Sequence, residues 1–301
     1  MKTFKGKTAV ITGAASGFGL ETARLCARQG MHLVMADVQQ AALDQAAAEI
    51  EALGVQVLPY RLDVAKAAEV EAMGAATRKR FGAPHFVFNN AGVALGGLIW
   101  EHTLKDWEWI VGVNLMGVAH GVRVFTPMML EAAKSDPDFE GHIVNTASMA
   151  GLVSMPNNGA YNVSKHAVVA MSETLYQDLS LVTDQVHCSV LCPFYVPTGI
   201  FQSERHRPAE MSEGRAPTQS QMVAQALGEK AISSGKVSAA QVAQFVMDAV
   251  AARRFYIYSH PHALGGVQAR LEDIMLGRNP SDPFKDRPDI GQRLRDAIRA
   301  G

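Results

Sequence analysis

A repeated alternation of short apolar runs with longer helix-forming segments limits the possible folds of this chain more than any other feature of its sequence. The apolar runs predict strands at 8–11, 32–36, 55–58, 85–88, 142–146, 187–191 and 256–258. The intervening segments predict helices at 20–28, 40–53, 66–81, 106–133, 160–181 and 239–253. Strands that alternate with helices form right-handed βαβ units. The chain is therefore predicted to be an α/β protein with a doubly wound parallel sheet covered by helices on both faces.

Residues suited to ligand binding or catalysis stand directly after the predicted strands. In a parallel sheet the ligand binds outside the carboxyl ends of the strands, so these residues are expected along one edge. They are Gly13, Asp37, Asp63, Asn90, Ser148 and Pro193.

Composition excludes several classes of protein. The 301 residues are 48% hydrophobic and 19% charged, which is ordinary for a globular protein with a large core. A net charge of -1 gives no reason to expect nucleic acid or an anionic membrane as partner. No window holds about 18 uncharged apolar residues, and three cysteines do not form a disulfide framework. We expect a soluble, cytoplasmic protein.

The turn Gly13-Ala-Ala-Ser-Gly17-Phe-Gly19 lies between a predicted strand and a predicted helix. Such a turn offers backbone N–H groups and a helix N-terminus to a pyrophosphate, although alone it could be only a tight turn. Asp37, at the end of the second predicted strand, would accept hydrogen bonds from ribose hydroxyls and repel a 2′-phosphate. No Arg or Lys occupies position 14, 15 or 38. The sequence therefore favours NAD over NADP.

Ser148, Tyr161 and Lys165 form a candidate catalytic set. Tyr161 and Lys165 are four residues apart, so on a helix they share one face, and a nearby ammonium is expected to lower the pKa of a phenol. Such a pair suits proton transfer at an alcohol oxygen. The alternative is a surface Tyr–Lys pair with an unrelated serine, because this spacing is common in helices.

Several motifs, in the same order, resemble those of the short-chain dehydrogenase/reductase family over about residues 5 to 260. They are Thr12-Gly13-x-x-x-Gly17-x-Gly19, Asn89-Asn90-Ala91-Gly92, Asn114, Ser148 and Tyr161-x-x-x-Lys165. The resemblance implies a single Rossmann-type domain with a seven-stranded sheet in three α/β/α layers. It also implies a nicotinamide cofactor and a homodimer or homotetramer.

The resemblance assigns a role to each catalytic position. Tyr161 would be the general acid/base, with Lys165 lowering its pKa and holding the nicotinamide ribose. Ser148 would bind the substrate oxygen, and Asn114 would hold a water in a proton relay. The cofactor positions, besides Tyr161 and Lys165, would be Gly13, Ser16, Gly17, Phe18, Gly19, Asp37, Val38, Asp63, Val64, Asn90, Ala91, Gly92, Pro193, Val196 and Thr198.

The chain departs from the family pattern in two places. Phe194 follows Pro193 where the family usually has glycine, and the tail beyond residue 260 is longer than in the common form. We expect residues 1–260 to form the dehydrogenase domain, with 197–237 as a substrate-binding loop or lid. Residues 261–301 would be an extension packed on this domain or on a neighbouring subunit.

The expected activity is NAD-dependent interconversion of a secondary alcohol and a ketone. Met149, Leu152, Val153 and Met155 lie between Ser148 and Tyr161, so the pocket is expected to be apolar and its substrate bulky or aromatic. The chain is also loosely similar to bacterial members that oxidise benzylic alcohols of lignin-derived aryl ethers.

Two alternatives remain open. One is a reductase of 3-oxoacyl thioesters or steroids, which would normally use NADPH. The other is a non-catalytic dinucleotide-binding sensor. No metal site is predicted, because His260 and His262 lack further ligands at a known spacing.

Overall fold

The predicted seven-stranded parallel sheet forms the centre of the protein, with the strand order β3-β2-β1-β4-β5-β6-β7. The structure is a computed structural model that describes residue 1 and residues 3–300. Strands β1, β2 and β4–β6 consist largely of buried residues, because helices cover a parallel sheet on both faces. The strands are β1 Thr8–Thr12, β2 His32–Asp37, β3 Val57–Arg61, β4 Phe86–Asn89, β5 Gly141–Thr146, β6 Val186–Cys192 and β7 Tyr256–Tyr258.

Helices on the two faces of the sheet build two cores and complete a three-layer Rossmann-type domain. Side chains of α1, α2 and α8 pack on one face. Those of α3, α5 and α6 pack on the other. The helices are α1 Gly17–Arg28, α2 Gln40–Glu51, α3 Ala67–Phe81, α4 Leu104–Val111, α5 Gly117–Ser135, α6 Gly159–Val182, α7 Gln219–Ser233, α8 Ala239–Ala252, α9 Gly265–Met275 and α10 Pro288–Arg299.

The third strand differs from its prediction. The pattern places it at 55–58, before Pro59, whereas β3 runs Val57–Arg61 and pairs Pro59 with Met35. This strand is at the edge of the sheet and bonds only to β2. A proline is tolerated there because its missing N–H faces no second neighbour.

The predicted helix over 106–133 is two helices joined by one wide turn. Residues Gly112–Met116 form a π-helical turn between α4 and α5. The helical stretch Leu104–Ser135 is long and apolar enough to cross a membrane by length and composition alone. However, 56% of its most apolar window is buried inside the protein, as in the core helix of a globular domain.

The segment 197–237, expected to be a substrate-binding loop or lid, contains regular structure. It contains short 3-10 helices at Ile200–His206 and Ala209–Met211, followed by α7. Thr218 and Gln221 form a capping box at the start of α7, a signal that the sequence does contain. We call residues 200–211 the lid segment.

The C-terminal extension packs against the same chain in two places. Ala263, Leu264 and Val267 contact the apolar cluster that contains Met149. At the other end of the extension, the Gln219 side-chain amide on α7 donates to the carbonyl oxygen of Ala297 on α10, at 2.9 Å.

Candidate active site

The carboxyl ends of β1 and β4 form a rigid cradle. The Thr12 hydroxyl accepts from the backbone N–H of Asn90 at 2.9 Å and of Ala91 at 3.1 Å. Gly13 has φ +64°, and a Cβ there would lie 3.0 Å from the Ala91 Cα. A Cβ at Gly19 would collide with the Gly13 carbonyl oxygen, so the first turn of α1 can approach β1 this closely only with glycine.

Asp37 presents its carboxylate at the end of β2. One carboxylate oxygen accepts from the Ala15 N–H at 3.1 Å, and the other accepts from the Gln39 N–H at 3.0 Å. These two bonds fix the orientation of the group and leave further lone pairs for a ligand. A hydrogen-bond acceptor therefore lies beside the cradle.

Most of the predicted site residues line a single cleft of about 460 Å³. Gly19 and Asn114 do not line it; both lie behind its wall. The predicted residues on the wall are Gly13, Ser16, Gly17, Phe18, Asp37, Val38, Asp63, Val64, Asn90, Ala91, Gly92, Ser148, Tyr161, Lys165, Pro193, Val196 and Thr198.

The ends of β5 and β6 and the first two turns of α6 bring Ser148, Tyr161 and Lys165 to the same cleft. The Ser148 hydroxyl donates to the Pro193 carbonyl at 3.3 Å and accepts from the Ala150 N–H at 3.1 Å. The Lys165 ammonium donates to the carbonyl oxygen of Thr146 at 2.9 Å and lies 5.7 Å from the centre of the Tyr161 ring. A hydroxyl, a phenol and an ammonium can thus act on one bound group.

Burial dominates the proton affinities of this set. It raises the pKa of Tyr161 to about 12, while the neighbouring Ser148 hydroxyl acts in the opposite direction. It lowers the pKa of Lys165 to about 8. Withdrawal of the phenolate from water is the largest effect on Tyr161, so the net shift of its pKa is upward; the lowering effect of Lys165 stays a prediction.

Asn114 lies in the π-helical turn and is fully buried. Its side-chain oxygen accepts from the Val93 N–H at 2.8 Å, and its amide nitrogen donates to the Val93 carbonyl at 2.9 Å and to Ser164 Oγ at 3.2 Å. Ser164 in turn donates to the backbone carbonyl of Tyr161 at 2.9 Å. The Asn114 side chain therefore fixes the loop after β4 and the start of α6; its water-holding role stays a prediction.

The residues that were expected to form an apolar substrate wall lie outside the cleft. Met149, Leu152, Val153 and Met155 do not line the cleft. Met149 is buried against the C-terminal extension, and Val153 faces Gly266. The direction in which this segment faces depends on its packing against the tail, which residue spacing does not specify.

The lid segment contributes several cleft-lining residues that were not predicted from the sequence. Residues from distant parts of the chain complete the apolar part, and only tertiary structure brings them together. The additional wall residues include Val93, Trp109, Phe194, Ile200, Ser203, Arg205, His206, Pro208 and Ile232.

A buried ion pair fixes the lid segment to α4. The Arg207 guanidinium contacts the Asp106 carboxylate at 2.6 Å, and both side chains are at most 10% exposed. The same guanidinium lies 4.9 Å from the centre of the Trp109 ring, which lines the cleft. Among the described residues, no group of three or more His, Cys, Asp or Glu is placed to hold a metal.

Comparisons with known proteins agree with this geometry. The family model described as short chain dehydrogenase matches residues 7–209. The chain is 35% identical to a CLA biosynthesis dehydrogenase/reductase of Lactiplantibacillus plantarum, over 95% of this chain and 99% of that protein. It is 31% identical to a C alpha-dehydrogenase of a Sphingobium strain, over 94% and 90% of the two chains.

One solved structure is similar to this chain over most of its length. The short chain dehydrogenase/reductase from Burkholderia phymatum, in complex with NAD, superposes with a TM-score of 0.90 at 50% identity. The match covers 94% of this chain and 99% of that one.

Proposed function

This chain is an oxidoreductase that belongs to the short chain dehydrogenase family, and we propose that it uses NAD to interconvert a secondary alcohol and a ketone. One observation carries the proposal. Ser148, Tyr161 and Lys165 line the same cleft as the glycine cradle and Asp37.

The cleft fits a dinucleotide in three respects. The cradle lacks Cβ atoms where a pyrophosphate would approach the backbone, and the N-terminus of α1 favours negative charge there. Asp37 offers acceptor atoms suited to ribose hydroxyls. The NAD complex of the Burkholderia relative supports the same cofactor here.

Each catalytic side chain has one task at the substrate oxygen. When bound, NAD supplies the hydride acceptor for oxidation. The Ser148 hydroxyl donates a hydrogen bond to the substrate oxygen, and Tyr161 accepts the hydroxyl proton. Burial gives Tyr161 a high pKa, so its phenolate is a strong base once formed. The Lys165 ammonium lies 5.7 Å from the centre of the Tyr161 ring, and we propose that its positive charge favours the phenolate.

The apolar part of the cleft supports a bulky apolar or aromatic substrate. Trp109, Phe194 and Ile200 give its wall aromatic and aliphatic surface. Such surface binds hydrocarbon or ring systems and discriminates weakly among them. The 31% identity to a C alpha-dehydrogenase supports oxidation as one direction of the reaction.

Replacement of Tyr161 by Phe tests the proposal. We expect the Tyr161→Phe protein to lose turnover with benzylic, aliphatic and steroid alcohols by at least about a hundredfold, because it lacks the transferable proton. Its affinity for NAD, measured by titration calorimetry, should stay within about twofold, since the ring remains. Normal turnover by this variant would contradict the assignment.

Initial rates with each coenzyme distinguish the alternatives. A strong preference for NADPH, with 3-oxoacyl thioesters or steroid ketones as substrates, would favour the reductase instead. Binding of NAD without turnover of any alcohol or ketone would favour the sensor.

We also propose a cytoplasmic homodimer or homotetramer. Exposed apolar side chains on and beside α5 and α6, among them Met116, Val163 and Tyr176, would be covered by a second copy. Light scattering at micromolar concentration tests this proposal, and a monomer would contradict it. The free, buried cysteines support a reducing compartment.

A further inference from the structure

Lysine and arginine are scarce on the wall of the cleft. Of the described residues that line it, only Lys165 and Arg205 carry such a side chain. Lys165 is bound to the Thr146 carbonyl at the catalytic end. The glycine turn, residues 13–19, contains no lysine or arginine of its own. Arg205 therefore brings to the cleft a charge that the cradle lacks.

The Arg205 guanidinium lies close to the mouth of the cradle. Its Nη2 atom is 2.8 Å from the position that a Cβ of Gly199 would take. Gly199 follows Thr198, whose methyl group is 3.6 Å from the equivalent position at Gly17. The lid segment thus carries a guanidinium to the part of the cleft where the turn exposes its backbone.

Arg205 makes no ion pair with a carboxylate among the described residues. Its Nη1 donates to Gln202 Oε1 and its Nε to His206 Nε2, both at 2.9 Å. Accepting a hydrogen bond requires an unprotonated ring nitrogen, and burial lowers the pKa of His206. The guanidinium is thus oriented by neutral groups, and its charge remains available to an anion.

We propose that Arg205 binds the pyrophosphate of NAD from the lid side, opposite the glycine cradle. This inference rests on the proposed function. A guanidinium is suited to phosphate because its planar donors can bond two oxygens at once. The cradle would supply backbone N–H groups from one side, and Arg205 would supply a full charge from the other.

The Arg207–Asp106 ion pair holds this guanidinium in position. Arg207 lies two residues beyond Arg205, and its Nε also donates to the Met211 carbonyl at 2.9 Å. Arg207 thus joins the end of the lid segment, at Met211, to Asp106 on α4. Arg207 is a positioning residue here, and Arg205 is the residue that meets the ligand.

Calorimetric titration of the purified full chain with adenosine, ADP, NAD and NADP tests the proposal. Arg205→Gln should weaken ADP and NAD by about tenfold, the usual effect of losing a charge-assisted hydrogen bond. Adenosine, which has no phosphate, should change by less than about twofold. The loss for NAD should shrink at high salt, because salt screens the charge.

Arg215→Gln is the matched control. Arg215 is a second exposed arginine on the same connection, but it donates to the Glu101 carbonyl and does not line the cleft. Its replacement should leave all four affinities unchanged.

The other outcomes overturn the proposal. An equal loss for adenosine would show that Arg205 only supports the lid segment, and unchanged affinities would show no phosphate contact. A loss confined to NADP would assign Arg205 to a 2′-phosphate. If wild-type protein binds no NAD, the proposed function itself fails, which is a separate result.

Discussion

The buried Lys165 should make the stability of the protein depend on pH in a way that its replacement removes. Its side chain is almost fully buried, and burial lowers its pKa from 10.5 to about 8. Each tenfold change in proton affinity corresponds to about 1.4 kcal/mol, so the native state holds this proton more weakly than the unfolded chain by about 3 kcal/mol. Between these two pKa values the unfolded chain binds more protons, and wild-type stability therefore rises with pH.

We compare the unfolding free energy of the wild-type protein with that of Lys165→Met, a variant that keeps the aliphatic length and removes the ionisable group. We expect the unfolding free energy of wild type minus that of the variant to rise by about 2 kcal/mol from pH 7.5 to pH 10. Loss of the bond to the Thr146 carbonyl adds a constant offset of about 1 kcal/mol. The range ends at pH 10, where most of the expected rise is complete because Lys165 titrates between about 8 and 10.5.

Urea titrations at matched protein concentration, followed by tryptophan fluorescence, measure this difference. Lys134→Met, at an exposed position on α5, controls for removal of any lysine. A difference between wild type and Lys165→Met that stays flat or falls over this pH range would refute the reasoning.

Two further predictions concern the cofactor site. Gly19→Ala should weaken NAD binding by at least about tenfold and lower the midpoint of thermal unfolding, because the new methyl group collides with the Gly13 carbonyl; unchanged calorimetric affinity would contradict the close approach of α1 and β1. Asp37→Ser should weaken NAD by about tenfold and shift the ratio of NADP to NAD affinity upward by a similar factor, because an acceptor for ribose and a repelling charge are both lost; an unaltered ratio would remove Asp37 from coenzyme selection.

The sequence predicts the sheet well, because its short apolar runs alternate regularly with helix-forming segments. Most predicted strand ends lie within two residues of the observed ones, and every predicted strand is present. The exception is β3, which continues three residues beyond its predicted end, through Pro59 at an edge position that tolerates proline.

The site residues also fall into two groups, those that the sequence predicts and those that it does not. Gly13, Asp37, Ser148 and Tyr161 follow strands or begin a helix, so their placement follows from topology. Arg205 reaches the cleft from the lid segment, which a buried ion pair joins to α4 between residues 101 positions apart. No local pattern encodes such a contact.

The packing of the tail on Met149 has a consequence for the length of chain that the enzyme needs. Met149 and Leu152, which follow Ser148, pack in one apolar cluster with Ala263, Leu264 and Val267. A protein truncated after residue 260 would expose part of that cluster to water. The extension thus covers apolar residues directly after Ser148, and we expect its removal to lower the stability of the domain and disturb the position of Ser148 without removing any residue of the cleft.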